Sequence, residues 1–185
     1  AAWYPPFLAG VERFASRKGN PLPLLGRALA LNPYAARAHF YVGRVLLRSG
    51  RLDQALLELR LAARYDASYA APSARILARS NRGFAALEKI ALTDSERRAL
   101  WPELAQAFAE DGRDDEAERA DRALLSMRPP ERRSVARHAR RLIGRKELGA
   151  AKELIARLDG PDDWSARADL EAEIALAEGS PKKAV

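Results

Sequence analysis

The sequence contains no cysteine and only two histidines in 185 residues. The lack of cysteine excludes disulfides, thiolate metal sites and cysteine nucleophiles. His39 and His138 form no paired-histidine motif at metal-ligand spacing. A glycine-rich phosphate loop and the GxSxG nucleophile motif are also absent. We therefore expect a protein that is not an enzyme and that has no metal, no cofactor and no small-molecule substrate.

Two hydrophobic patterns are missing as well. No segment alternates apolar and polar residues over the length of a strand, so we expect no β-sheet. No apolar run reaches the length of about 20 residues that a membrane-spanning helix needs. Alanine, leucine and arginine, which favour helices, are abundant instead. These features predict an all-α chain, and residues 1–185 fit a single domain.

Acidic residues are scarce in the first half of the chain. Residues 1–92 carry 14 Lys and Arg but only 5 Asp and Glu. Residues 93–185 carry 18 Lys and Arg and 20 Asp and Glu. A basic half of this kind favours an acidic partner or an anionic surface nearby. A solvated, arginine-rich surface without a partner is the alternative interpretation.

The clearest local pattern lies in residues 36–69. Apolar residues at helical spacing predict a first helix over residues 36–48. Gly50 ends it, because glycine adopts the left-handed conformation that a tight turn needs. Asp53 is expected to cap a second helix that runs to Tyr65. The stretch is therefore predicted to be a helical hairpin.

Two small residues decide how closely this hairpin packs. Gly43 and Ala55 are each expected to face the other helix and to leave room for a short distance between the axes. Their separation, together with hydrophobic residues at fixed positions, resembles the tetratricopeptide repeat family. The matching residues are Val42, Gly43, Leu46, Ala55, Leu59 and Ala62. His39 and Ala67 depart from the family, which favours Trp and Pro at these positions.

The same 34-residue frame extends along the chain. It predicts repeats at about 2–35, 36–69, 98–131 and 132–164, a degenerate unit at 70–97 and a partial repeat at 165–185. The repeat at 98–131 is the second clear match, and Thr93 and Glu96 form a capping-box pattern just before it. Asp121 departs from the pattern, because it places a charge near the seam at a usually aromatic position. In the degenerate unit, residues 84–91 are predicted to form a short second helix.

The ends of the chain allow further expectations. The opening residues 1–7 include Trp3, Tyr4 and Phe7. They form either a hydrophobic cap over the end of the stack or the water-side flank of a membrane helix. The chain does not begin with methionine and stops within a motif, so we expect a segment of a longer protein.

The family resemblance implies both an architecture and a function. It implies a right-handed solenoid of stacked antiparallel helical hairpins that binds other proteins without catalysis. Family members often belong to larger assemblies, including bacterial envelope proteins. The expected partner is thus a protein or an acidic peptide, within a multi-protein or membrane-linked assembly. The corresponding location is the cytoplasm or the soluble part of an envelope protein, with the periplasm as the alternative.

The resemblance also implies which residues bind the partner, since the first helix of each hairpin lines a concave groove in the family. In this sequence the groove positions are Arg37, Phe40, Arg44, Leu47 and Arg48, with Arg13 and Phe14 in the first repeat and Arg133 and Arg140 in the fourth. Such arginines can bind the carboxylates of an acidic peptide, while the aromatic residue and the leucine can bury one of its apolar side chains. Chaperone binding is not expected, because Arg44 stands where the family's chaperone-binding members need asparagine.

Nucleic acid is the alternative partner. Residues 132–146 form a basic helix that is suited to following phosphates. Its basic residues are Arg132, Arg133, Arg137, Arg140, Arg141, Arg145 and Lys146. No aromatic residues are interleaved with them, so base stacking has no platform.

Overall fold

A computed structural model describes residues 2–80, 82–88, 91–128, 130–158 and 164–179. These residues form α-helices and one short 3-10 turn, and there is no β-strand among them. The predicted all-α class is therefore confirmed. None of the helices in these ranges is long and apolar enough to cross a membrane.

The helices follow one another with short connections. In the described residues they are α1 (Tyr4–Ser16), α2 (Leu22–Leu31), α3 (Ala36–Arg48), α4 (Leu52–Tyr65), α5 (Ala70–Ala78), α6 (Phe84–Leu87), α7 (Asp94–Glu110), α8 (Asp114–Leu125), α9 (Arg132–Gly144), α10 (Leu148–Ile155) and α11 (Trp164–Ala177). Helices α1 and α2, α3 and α4, α7 and α8, and α9 and α10 pack as pairs. The pairs also contact their neighbours along the chain, as α2 does with α3 and α8 with α9.

The pair α3 and α4 packs at the small residues that the sequence indicates. A Cβ atom on Gly43 would lie 2.7 Å from Leu59 Cγ and 3.3 Å from the Ala55 carbonyl oxygen. Ala55 and Leu59 are fully buried. No larger side chain fits at position 43 without displacement of α4, because buried side chains are close-packed.

One of the two predicted helix caps is confirmed, and the other is wrong. Thr93 caps α7, and a capping box with Glu96 is present as predicted. The prediction for Asp53 is wrong, because α4 already begins at Leu52 and has no side-chain cap. Asp53 instead lies in the first turn, where its negative charge is favourable beside the positive end of the helix dipole.

The second helix predicted for residues 84–91 is shorter in the structure. Helix α6 ends at Leu87, while residues 89–90 lie outside the described ranges and Ala91 is not helical. Helices α4 and α7 contact each other directly. Arg60 Nε donates across this contact to Glu96 Oε1 at 2.9 Å.

Helix α8 holds the loop before α6. Arg113 Nη1 donates to the Ala78 carbonyl oxygen at 2.6 Å, and Arg113 Nη2 donates to the Arg82 carbonyl oxygen at 2.8 Å. The backbone N–H of Phe84 donates to Glu116 Oε2 at 2.6 Å. These bonds connect the start of α8 to the backbone at the end of α5 and the start of α6.

Candidate partner-binding groove

A groove crosses the C-terminal ends of α1, α3 and α5. It consists of three adjoining cavities of about 420, 200 and 400 Å³. The first cavity shares Phe14, Arg17 and Arg48 with the second, and Leu47, Arg48 and Ile76 with the third. We call this feature the arginine groove; its main residues are Arg13, Phe14, Arg17, Arg44, Leu47, Arg48 and Ile76.

Aromatic rings hold the central arginines in place. The Arg44 guanidinium carbon lies 4.7 Å from the centre of the Phe14 ring, and that of Arg48 lies 4.5 Å from it. Arg44 also lies 5.5 Å from the centre of the Tyr41 ring. Cation–π contacts of this kind orient a guanidinium and leave its N–H groups available for other acceptors. Arg48 Nη1 makes one long bond of 3.4 Å to the Phe14 carbonyl oxygen.

The groove is strongly positive. Among the described residues, no carboxylate lies within salt-bridge distance of Arg13, Arg17, Arg44 or Arg48. Arg79 and Arg82, which line the third cavity, likewise have no carboxylate partner there. Since charges of one sign converge in a concave surface, their field attracts anions.

The structure brings five of the nine predicted site residues together. Those that line the arginine groove are Arg13, Phe14, Arg44, Leu47 and Arg48. Arg37 and Phe40 lie nearer the start of α3 and line none of the three cavities. The Arg37 guanidinium carbon is 5.6 Å from the centre of the Phe7 ring. Phe40 is half-buried and packs on Tyr69, with ring centres 5.1 Å apart.

The other two predicted residues lie on α9, away from the groove. Arg133 Nη1 lies 3.2 Å from Glu103 Oε1 of α7. Arg140 Nε lies 3.0 Å from Glu173 Oε1 of α11. Both cations are therefore engaged with carboxylates of neighbouring helices.

Sequence reasoning missed Arg17, Ile76, Arg79 and Arg82. Arg17 follows the end of α1, outside the groove positions of the repeat frame. The other three belong to the degenerate unit, where the frame does not hold. The one signal that pointed to the three arginines was the excess of basic residues in 1–92; no signal pointed to Ile76.

Arginines of the basic segment 132–146 form ion pairs with carboxylates of α8. Asp121 is fully buried and accepts from Arg137 Nη2 at 2.7 Å and from Arg141 Nη1 at 2.6 Å. Arg145 binds Glu118 in the same way. Hydrogen bonds from Arg145 and Arg122 outweigh the effect of burial and lower the pKa of Glu118 to about 2. The charge that the sequence places near the seam at Asp121 is thus neutralised by the next helix.

His39 is buried and His138 is half-buried. His39 Nδ1 lies 2.6 Å from Glu58 Oε2, and Nε2 lies 2.8 Å from the Pro33 carbonyl oxygen. Burial opposes the charged form, but these bonds outweigh burial and raise the pKa of His39. Burial lowers the pKa of His138. In the part of the chain that the structure describes, no three His, Asp or Glu side chains converge as a metal site.

Comparisons with protein-family models, with curated proteins and with solved structures gave no match for this chain.

Proposed function

We propose that this chain is a non-catalytic interaction scaffold that binds an acidic peptide segment of a partner protein in the arginine groove. The proposed architecture is a solenoid like that of tetratricopeptide repeats. Its support is the succession of paired helices and the close contact of Gly43 with α4. Packing of each pair on the next is what such a solenoid requires.

The observation that carries the proposal is the set of unpaired arginines beside apolar walls. Arg44 and Arg48 are held by Phe14, and Leu47 and Ile76 line the same cavity. A guanidinium binds a carboxylate through two parallel hydrogen bonds. An aliphatic or aromatic side chain of the peptide gains burial against the apolar wall. The groove therefore offers both the charge and the anchor site that the acidic-peptide hypothesis needs.

Nucleic acid binding through residues 132–146 has less support. Arg137 and Arg141 bind the buried Asp121, and Arg145 binds Glu118. Arg133 and Arg140 are also paired with carboxylates. A phosphate backbone would have to compete with these partners, which reduces the gain from each contact.

The test is a selection from a library of displayed random peptides, followed by affinity measurements. We expect selected peptides to be rich in Asp and Glu around an aliphatic or aromatic residue. Arg44→Ala and Arg48→Ala should each weaken binding by about tenfold, the usual loss for a charged hydrogen bond of about 1.5 kcal/mol. Arg27→Ala is the matched control, because Arg27 is exposed on α2 and lines none of the three cavities.

Two outcomes would contradict the proposal. Selected peptides without acidic residues, or peptides that bind Arg44→Ala and Arg48→Ala as tightly as the original chain, would exclude the groove. Binding of an oligonucleotide at physiological salt that is lost in Arg133→Ala and Arg140→Ala would favour the nucleic acid alternative instead.

A further inference from the structure

Two arginines of the groove form a like-charged pair within one helix. Arg44 and Arg48 are one turn apart in α3, and like charges at this spacing destabilise a helix. Arg13 lies in the last turn of α1, and Arg17 follows its end. None of these four arginines has a carboxylate within salt-bridge distance in the described residues.

The same arginines line two adjoining cavities of the groove. Arg17, Arg44 and Arg48 line the cavity of about 420 Å³, and Arg13, Arg17 and Arg48 line the adjoining cavity of about 200 Å³. Phe14 lies in the wall of both cavities and stacks with Arg44 and Arg48. A ligand in either cavity therefore meets three arginines.

The backbone at Arg17 adds an independent observation. Arg17 has φ 56° at the end of α1, a left-handed conformation that favours glycine. Helix α3 is followed by Gly50 in this conformation, and α7 by Gly112. Arg17 and Lys146 are the two described residues other than glycine with positive φ. Such a residue is strained, and at position 17 it is an arginine that lines two of the three cavities.

A phosphoryl group matches this place better than a single carboxylate does. It carries a charge of about −1.5 to −2 near pH 7 and three strong acceptor oxygens. The planar forks of several arginines can share these oxygens. One carboxylate has a single charge and would leave most of the positive charge uncompensated.

We propose that the arginine groove binds a phosphorylated Ser, Thr or Tyr side chain of the partner beside Arg17, Arg44 and Arg48, with Arg13 in the adjoining cavity. This inference rests on the proposed function, because it takes the groove as a peptide-binding site. Leu47 and Ile76 then accept an aliphatic residue next to the phosphorylated one. The partner would then bind more tightly in its phosphorylated state than without the modification.

The test compares three labelled peptides that share one leucine-flanked acidic sequence and differ at the central position. That position is phosphoserine, glutamate or serine, and affinity is measured by fluorescence anisotropy at physiological salt. We expect the phosphoserine peptide to bind at least about tenfold more tightly than the glutamate peptide. The preference should shrink between about pH 7.5 and pH 5.5, because the phosphate then loses its second charge near its pKa of about 6.

Variants locate the effect in the groove. Arg48→Ala and, separately, Arg17→Ala should reduce the preference for phosphoserine to less than about threefold, whereas Arg27→Ala should preserve it. Both groove residues are exposed, and unchanged helical circular dichroism would show that the variants fold.

The alternative outcomes separate the two proposals. Equal binding of the phosphoserine and glutamate peptides, lost in both cases by Arg48→Ala, would overturn the phosphoryl inference and leave the acidic-peptide function in place. No binding of any peptide would overturn both. Binding of a short single-stranded oligonucleotide as tightly as the phosphopeptide, with the same dependence on Arg48, would show that the place recognises nucleic acid phosphates and would overturn the phosphopeptide proposal.

Discussion

His39 faces a hydrogen-bond acceptor with each of its ring nitrogens. Glu58 lies against Nδ1 and the Pro33 carbonyl oxygen against Nε2. Only the doubly protonated imidazolium donates to both, because a neutral ring has a single N–H. The raised pKa of His39 follows from these two acceptors, which overcome the effect of burial.

This arrangement predicts that stability falls as the pH rises. The folded chain holds the His39 proton more tightly than the unfolded chain, so unfolding releases a proton. The contribution of His39 is fully present below the ordinary pKa of about 6.5 and is lost as the pH rises through the raised value. We expect the free energy of unfolding, measured in urea, to fall above about pH 6.5, and His39→Gln to remove this part of the decrease.

His138→Gln provides a control, because His138 should change stability with pH in the opposite direction. Burial lowers the pKa of His138, so its protonation favours the unfolded chain and its contribution to stability is lost as the pH falls. A pH dependence of His39→Gln that matched the original chain above about pH 6.5 would contradict the role of Glu58 and Pro33.

Gly43 provides a second test at the scale of one residue. Alanine is the better helix former by about 1 kcal/mol, but its Cβ atom would lie 2.7 Å from the buried Leu59 Cγ. Overpacking of a core costs about 1–3 kcal/mol. The two effects oppose each other, so we expect Gly43→Ala to lower the free energy of unfolding by up to about 2 kcal/mol in chemical denaturation.

Gly26 in α2 is the matched comparison, because a Cβ atom there would meet nothing within 4 Å. Gly26→Ala should leave stability unchanged or raise it by up to about 1 kcal/mol. Equal effects of the two substitutions would show that α3 and α4 are not in close contact at Gly43.

At the scale of the helices, the seam between α8 and α9 depends on a buried charge. Asp121 has no exposed surface, and Arg137 and Arg141 both donate to it. Asp121→Asn keeps the shape of the side chain but leaves two arginines without a counter-charge. Removal of one partner from a buried ion pair typically costs about 3 kcal/mol or more. We expect a loss of this size in urea denaturation.

Glu173→Gln is the control for this prediction. Glu173 pairs with Arg140 at 3.0 Å, but both side chains are substantially exposed. Exposed pairs contribute about 0–1 kcal/mol, so this substitution should have little effect. A loss below about 1 kcal/mol for Asp121→Asn would mean that the α8–α9 seam is held by its apolar contacts.

The helices show what sequence could and could not predict. The bounds of α3 agree with the prediction, because apolar periodicity and Gly50 are local signals. The cap at Asp53 was wrong, because α4 begins at Leu52 with Arg51 at the cap position and Asp53 inside the first turn. The partners of Asp121 could not be predicted, because Arg137 and Arg141 lie in the following helix, α9, and become neighbours only after folding.

The candidate groove shows the same limit. Phe14, Arg44 and Arg48 at its centre are among the groove positions that the repeat resemblance implied. Arg17 could not be predicted, because its position depends on a left-handed backbone that sequence favours only for glycine. Ile76 joins the groove through the packing of the degenerate unit, for which no repeat frame applies.

For the molecule as a whole, the separation of charge has a kinetic consequence. Residues 1–92 hold most of the excess positive charge, whereas residues 93–185 are nearly balanced. The second half is also internally paired, as at Asp121 and Glu118. The long-range field should therefore come from the N-terminal half and draw an acidic partner toward the arginine groove.

This field predicts which rate constant each charge controls. Arg27 lies outside the groove, so Arg27→Glu should slow association with an acidic peptide and leave dissociation unchanged. Arg48 lines all three cavities, so Arg48→Ala should mainly speed dissociation. Raising the salt from about 20 to about 300 mM should slow association several-fold, because screening shortens the reach of the field to below about 10 Å. Stopped-flow fluorescence separates the two rate constants, and an association rate that does not depend on salt would contradict steering by the basic half.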